Sequence, residues 1–320
     1  MAADDAQPDI SVVIVNWNTK ELLLECLESL MEMPCHYPIE TIVVDNGSED
    51  GSQSAVRSKH PSARLIENNA NLGFAKANNV GIRASNGRYL CLVNSDVRVL
   101  DNCVDLLYEF MERNASIGLA GPKILSPDMA LQNSCRKFPT IWNSFSGALR
   151  LNRLLPKSAF FSDEHMAYFS HDKTTSVDSL AGCFLMIRKE AIEEVGLFDE
   201  QFFIYAEEVD LCKRLWAFGW DVVFYPEARA IHHHGASSAR QPIRFALEQQ
   251  RSVLKYWRKH HELFARVLFR VLLVAQHAIG GVSAMALYAV RPVERPALAQ
   301  RVKKNTVLMK ALFLSSTQVS

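Results

Sequence analysis

Three groups of side chains have the types and spacing to do chemistry. Asn94-Ser95-Asp96 closes an apolar run. An aspartate at such a place is either a helix cap or a ligand for a hard cation. A divalent ion held there could neutralise a departing diphosphate. Glu207, Glu208 and Asp210 fall within four positions at an expected helix start. Negative charge complements a helix N-terminus, so capping explains part of this group. One ionised member within reach of a hydroxyl could act as a general base. His232-His233-His234 precedes Gly235. In extended chain the side chains alternate, so His232 and His234 share one side and His233 faces the other. Imidazole is a common metal ligand, although a surface run of histidines looks the same in sequence.

These groups need a scaffold. Residues 10–15 (ISVVIV), 40–45 (ETIVVD) and 88–93 (RYLCLV) are unbroken apolar runs, the pattern of strands buried on both faces. A shorter strand is expected at 63–67. Between these runs lie helical patterns: from Asn18 and Glu21 to the stop at Pro34, at 52–60, and at 74–85. The first hundred residues therefore read β-α-β-α-β-α-β, the order of an open, mostly parallel sheet. Ligands in such sheets bind beyond the carboxyl ends of the strands. Those ends carry Asn16 to Asn18, Asp45 to Ser48, and Asn94 to Asp96.

The stretch 121–178, with Pro122, Pro127, Pro139 and Pro156, reads as loops and short strands. A strand is expected at 180–188, a short helix at 189–195 and a helix at 207–219, the last with Leu211, Leu215, Trp216 and Phe218 inward. DVVFYP then reads as a strand. The tail from 241 to 320 is helical in pattern and rich in arginine and lysine. Its apolar segment 271–290 is broken by Gln276, His277 and a glycine pair. It fits a buried or oligomerising hairpin, or a helix on an anionic bilayer.

Composition sets outer limits. Of 320 residues, 48% are hydrophobic and 22% charged, which marks a folded protein. Basic and acidic side chains balance at 35 each, so nothing points to nucleic acid. Seven scattered cysteines without a CxxC pair read as reduced thiols. The polar, acidic MAADDAQPD lacks the pattern of a secretory signal, which gives a cytoplasmic expectation.

In order along the chain stand SVVIVNWN, VVDNGSEDGS, NANLGFAKANNVGI, NSD, RKFPT at 136–140, AGCFLMIRKEAIEEVGLFDEQFFIYAEEVDLCKRLWAFGW and HHHGASS. This series resembles the inverting glycosyltransferases of family 2 over roughly residues 8–240. Its wording looks like the rhamnosyltransferase-like branch that builds bacterial surface polysaccharides. The resemblance implies an α/β GT-A fold with a mostly parallel central sheet at 8–240, followed by a helical region at 241–320. It implies a nucleotide-diphospho-sugar donor, dTDP-rhamnose or a UDP-sugar, and a glycan or lipid-linked acceptor. By the same resemblance Asp45 meets the nucleotide base, and Val15, Asn16, Trp17, Asn18 and Ser95 line the nucleotide pocket. Asn71 and Gly73 lie near the diphosphate. Asp96, with Asn94 and His232, attends a divalent metal, Mn2+ or Mg2+. Glu208 matches the general base, flanked by Glu207 and Asp210.

Two positions depart from the family pattern. Asn94 replaces the first carboxylate of the DxD motif, and Glu208 stands where aspartate is usual. Lys76 also occupies a loop where small residues are common. The departures leave open a catalytically inactive nucleotide-sugar-binding subunit of an assembly complex. A dinucleotide-dependent oxidoreductase lacks its GxGxxG after the first strand.

Overall fold

In a computed structural model of the chain, residues 7–32, 35–162, 164–233, 235 and 241–314 are described. The apolar runs form β1 (Ile10–Asn16), β2 (Ile39–Asp45) and β4 (Tyr89–Asn94), with the short β3 (Arg64–Glu67) beside β2. Helices α1 (Lys20–Glu32), α2 (Ser52–Lys59) and α3 (Phe74–Ala84) alternate with them. The four strands are parallel, in the order β3-β2-β1-β4. Their register sets Asn16 opposite Asp45, Asp45 opposite Glu67, and Val15 opposite Asn94. The polar strand ends are thus level with one another.

The chain beyond Asp96 holds more regular structure than its sequence suggests. β5 (Val97–Leu100) follows at once, then α4 (Cys103–Arg113), β6 (Ile117–Leu125) and the short β7 (Cys135–Arg136). β6 is a nine-residue buried strand in the middle of the sheet, where loops were expected from residue 121. Its Pro122 cannot donate to a ladder, which normally argues against a central strand. The register with the neighbouring strand slips just there, between Tyr225 and Arg229, so the missing N–H falls at a bulge.

Two helices, α5 (Ile141–Ala148) and α6 (Leu151–Leu154), also fall within the region read as loops and short strands, which holds for 126–134 and for the described residues of 155–174. The Thr140 side chain caps α5 by accepting the Asn143 N–H. The expected strand at 180–188 is broken. β8 (Thr175–Ser176) and β9 (Ser179–Leu180) precede β10 (Phe184–Arg188), leaving Ala181 to Cys183 out of the ladder. β10 runs antiparallel between β4 and β6. Next come α7 (Lys189–Val195), α8 (Glu207–Ala217) and the long β11 (Asp221–His232), which is parallel to β6 and antiparallel to β5. On α8, Leu211 and Leu215 are fully buried as expected, but Trp216 and, just past the helix end, Phe218 are exposed. Trp216 lies at the rim because its indole N–H donates to the Val177 carbonyl.

α9 (Pro242–His260), α10 (Leu263–Val290) and α11 (Arg295–Leu314) complete the chain. By packing, the molecule divides into two compact units. One is Met1–Phe138 with Phe169–Arg240, and the other is Pro139–Tyr168 with Gln241–Ser320. The segment carrying α5 and α6 therefore belongs with the helical tail, although it interrupts the sheet unit in sequence.

Candidate active site

The first strand end is a closed hydrogen-bond network. Asn16, fully buried, donates from Nδ2 to Asp45 Oδ2 and to Ser48 Oγ, each at 3.1 Å. Asp45 Oδ1 accepts from Ser48 N at 2.9 Å and from Gln53 Nε2 at 2.8 Å. Three of its roughly four acceptor positions are therefore taken, leaving one on Oδ2. Thr19 Oγ1 donates to Asn16 Oδ1 and lies 2.7 Å from Ser95 Oγ, which joins the first strand end to the NSD turn. Asn18 does not cap α1. With φ at 54°, its N–H donates to Ser48 Oγ and its Oδ1 accepts from Glu49 N, so it clasps the second loop instead. Val15 and Trp17 are half-buried alongside.

Asn46 extends the network to the next loop. Its Nδ2 donates to Asn71 Oδ1 at 3.0 Å, and Asn71 Oδ1 also accepts Gly73 N. Gly73 has φ of +86° and no room for a Cβ, because the Phe203 carbonyl occupies that space. Phe74 N donates to the same carbonyl at 2.6 Å. The Asn71–Gly73 loop is thereby fixed to the segment leading into α8. Lys76 sits exposed on the first turn of α3 rather than in a loop.

Pairing of β5 with the end of β11 brings Asp96 and His232 together. His232 is opposite Val97, and His233 N donates to the Asp96 carbonyl. His232 Nε2 lies 3.3 Å from Asp96 Oδ1, both side chains largely buried. His233 turns the other way, 3.9 Å from Glu25, as alternation requires; His234 lies outside the described residues. Gln132, which the sequence did not single out, fixes the imidazole. Its Nε2 donates to the His232 carbonyl at 2.7 Å, so its Oε1 is the atom 3.1 Å from Nδ1. Nδ1 is then the donor, and Nε2 is the ring atom directed at the Asp96 carboxylate. In its neutral form that nitrogen and the carboxylate are two acceptors facing each other, which suits a cation between them. Among the described residues no group of three or more His, Cys, Asp or Glu could hold a metal. Asp96 and His232 thus offer one oxygen and one nitrogen that would fit a divalent cation. Asn94 stands one turn of chain away and is half-buried; its backbone N–H is bonded to the Cys183 carbonyl.

The acidic group lies across the Ala181–Cys183 break. Tyr205 and Ala206 both have positive φ, 69° and 67°, a sharp turn that aims the first residues of α8. Glu207 is buried, and Glu208 has its Cβ 3.5 Å from where a Cβ on Gly182 would lie. Glu207 Oε2 and Glu208 Oε2 are both buried and without hydrogen-bond partners among the described residues. Burial pushes the Glu207 carboxyl well above its ordinary value, and the neighbouring Glu208 adds to the rise. Burial raises Glu208 as well, but backbone hydrogen bonds and the Arg136 guanidinium oppose it. Opposing contributions are thus present at Glu208, whereas burial and the adjacent carboxylate act together at Glu207. Asp210 is fully buried, and its Oδ2 accepts from Arg214 Nε at 2.9 Å. Arg214 also donates to the carbonyls of Val195, Gly196 and Leu197. Asp210 thus anchors α8 to the turn after α7.

Residues 181–183 are the hinge of the arrangement. Gly182 abuts Glu208 on one side, while the Cys183 carbonyl holds Asn94, two residues before Asp96, on the other.

A sheet that is mixed rather than mostly parallel, with β10 and β5 antiparallel to their neighbours, a polar hydrogen-bond network at its strand ends, and a carboxylate–histidine pair and buried carboxylates nearby, is the arrangement of a GT-A glycosyltransferase. The same fold occurs in GalNAc-T7 solved with UDP, GalNAc and Mn2+ (TM-score 0.55, 18% identity, 72% of this chain and 44% of that one). It occurs also in the mannosyltransferase PcManGT of Pyrobaculum calidifontis, solved with GDP-Man and Mn2+ (TM-score 0.56, 16% identity, 98% and 87%). The family profile described as Glycosyl transferase family 2 matches residues 11–196, and the chain belongs to that family. It is 28% identical over 272 residues to the N-acetylglucosaminyl-diphospho-decaprenol L-rhamnosyltransferase of Mycobacterium tuberculosis, covering 82% of this chain and 88% of the relative. It is 26% identical over 237 residues to the rhamnosyltransferase WbbL of Escherichia coli, covering 70% and 84%.

Proposed function

We propose that the protein is an inverting transferase in polysaccharide synthesis. It would move a sugar from dTDP-rhamnose or a UDP-sugar to a hydroxyl of a glycan or lipid-linked glycan. Relatives named as rhamnosyltransferases support the sugar, and one named for a diphospho-decaprenol acceptor supports the lipid-linked substrate. The observation that carries the reading is the placement of Glu208 and the Asn94–Asp96 turn on either side of Gly182 and Cys183.

The remaining lone pair on Asp45 Oδ2 accepts the imino N–H of a uracil or thymine base, and Asn16 and Ser48 hold the carboxylate in place. The Asn71–Gly73 loop lies along the diphosphate. Asp96 and His232 would hold a divalent cation, Mn2+ or Mg2+, which when bound stabilises charge on the departing diphosphate. Glu208 accepts the proton of the acceptor hydroxyl as its oxygen attacks the anomeric carbon. The carbon–oxygen bond to the diphosphate breaks on the opposite face, so the anomeric configuration inverts. Burial beside Glu208 disfavours a second negative charge on Glu207.

Glu208→Gln tests the assignment. Turnover with donor and acceptor should fall at least about a thousandfold, while calorimetric affinity for the nucleotide stays within about twofold. Loss of nucleotide binding would remove Glu208 from the base position. Binding without turnover in the unaltered protein would favour an inactive binding subunit.

A further inference from the structure

The unit formed by Pro139–Tyr168 and Gln241–Ser320 carries 16 Lys and Arg against 5 Asp and Glu, a net charge of +11. Since the whole chain balances at 35 of each, the sheet unit carries −11. A neutral protein is thus divided into a basic half and an acidic half.

Within the basic unit, α10 has two unlike faces. Phe269, His277, Gly280 and Ala284 are buried and share one side of the helix. His277 there lies 2.8 Å from Gln250 Oε1 of α9 and 3.2 Å from Asn305 Oδ1 of α11, which locks the three helices together. The opposite side bears Phe264, Val267, Val271, Val282 and Met285, between 53% and 80% exposed. Spacings of three, four and eleven place them in one stripe. Ala275, Ala278 and Ala289 fill its gaps, so no polar side chain interrupts the stripe from 264 to 289. An open apolar face of that length is not ordinary surface.

We propose that this face of α10 lies in the interface of an anionic lipid bilayer, with the unit's cationic side chains on the headgroups. The charge selects this occupant. A second copy of the same face would bring two units of +11 together, whereas anionic headgroups neutralise the excess. The helix lies along the membrane rather than through it. Its buried side carries the His277–Gln250–Asn305 contacts, and its partner α11 exposes Lys303, Lys304 and Lys310, which the hydrocarbon would not accept. Aromatic side chains suited to the interface stand close by. Trp142 packs on Phe145 and Phe160 in the segment of α5, which itself packs on α10, and Arg150 after α5 donates to Ser283, the residue next to Val282. The inference rests on this unit alone and stands or falls independently of the transferase reading.

The test is flotation of the full chain with vesicles of phosphatidylcholine alone or with about 30% phosphatidylglycerol, with light scattering on the free protein. Binding to the anionic vesicles only, reversed by 0.5 M salt or by alkaline carbonate, is expected. Val271→Asp with Val282→Asp, both on exposed positions, should weaken it roughly tenfold or more while nucleotide affinity is unchanged. Lys303→Glu with Lys304→Glu should weaken it similarly at low salt. Equal binding to both vesicle types, binding to neither, or retention through carbonate would overturn the proposal. So would a dimer in solution that the Val271 and Val282 changes dissolve.

Discussion

Gly73 and Phe203, 130 positions apart, meet backbone to backbone, with the Phe203 carbonyl filling the space where any side chain on residue 73 would begin. The contact ties the loop assigned to the diphosphate to the segment that presents Glu208. Donor and acceptor sides of the site are therefore mechanically joined.

Gly73→Ala should break that joint. The positive φ and the missing space each penalise a Cβ. A loss of about 1–3 kcal/mol in urea unfolding is expected, together with weaker nucleotide binding. A variant with unchanged stability and affinity would contradict the coupling.

Glu207 should make stability depend on pH. Its folded-state carboxyl titrates well above the ordinary range because it is buried beside Glu208. Below the ordinary carboxylate value both folded and unfolded forms are protonated, and its contribution is intact. As pH rises, the unfolded chain ionises first, and stability is lost until the folded pKa is passed. Glu207→Gln removes that loss. Its melting temperature should exceed that of the unaltered protein at pH 8 and match it near pH 4, a difference on the order of 1 kcal/mol or more.

Glu208 should set the acid limb of the rate profile. Its raised value means that activity climbs with pH above the usual carboxylate range as the base ionises. Arg136 opposes the rise, so Arg136→Gln should move the limb to higher pH. Steady-state rates across pH 4–9 decide this; a limb that stays put would separate Arg136 from the base.

Asp210 and Arg214 should behave as an anchor. Asp210→Ala leaves a guanidinium largely buried without its carboxylate, and about 3 kcal/mol of stability should be lost. Unfolding by denaturant measures it. A stable Asp210→Ala protein with no turnover would place Asp210 in the chemistry instead.

The early sheet was legible because parallel strands buried on both faces leave unbroken runs such as ISVVIV and TIVVD. The meeting of Asn16 with Asp45 followed from those strands ending together. β5 was not singled out, although Val97 and Val99 are buried and Arg98 is exposed, a period-two signal in only four residues. That strand is what carries Asp96 to His232. β6 was hidden by Pro122, whose tolerance depends on a bulge in a strand a hundred residues later. Gln132 gave no signal at all, since its bond to His232 spans 100 positions and exists only once β11 is in place.

The most direct measurement is calorimetric binding of UDP and dTDP, each with and without Mn2+, to the unaltered protein, Asp96→Ala, His232→Ala and Gln132→Ala. One nucleotide should bind, more tightly with Mn2+. Asp96→Ala and His232→Ala should abolish the gain from metal, and Gln132→Ala should reduce it about tenfold by releasing the imidazole. Affinity without metal should be unchanged in all three. Binding of neither nucleotide, or a metal effect that survives the loss of both Asp96 and His232, would contradict the site.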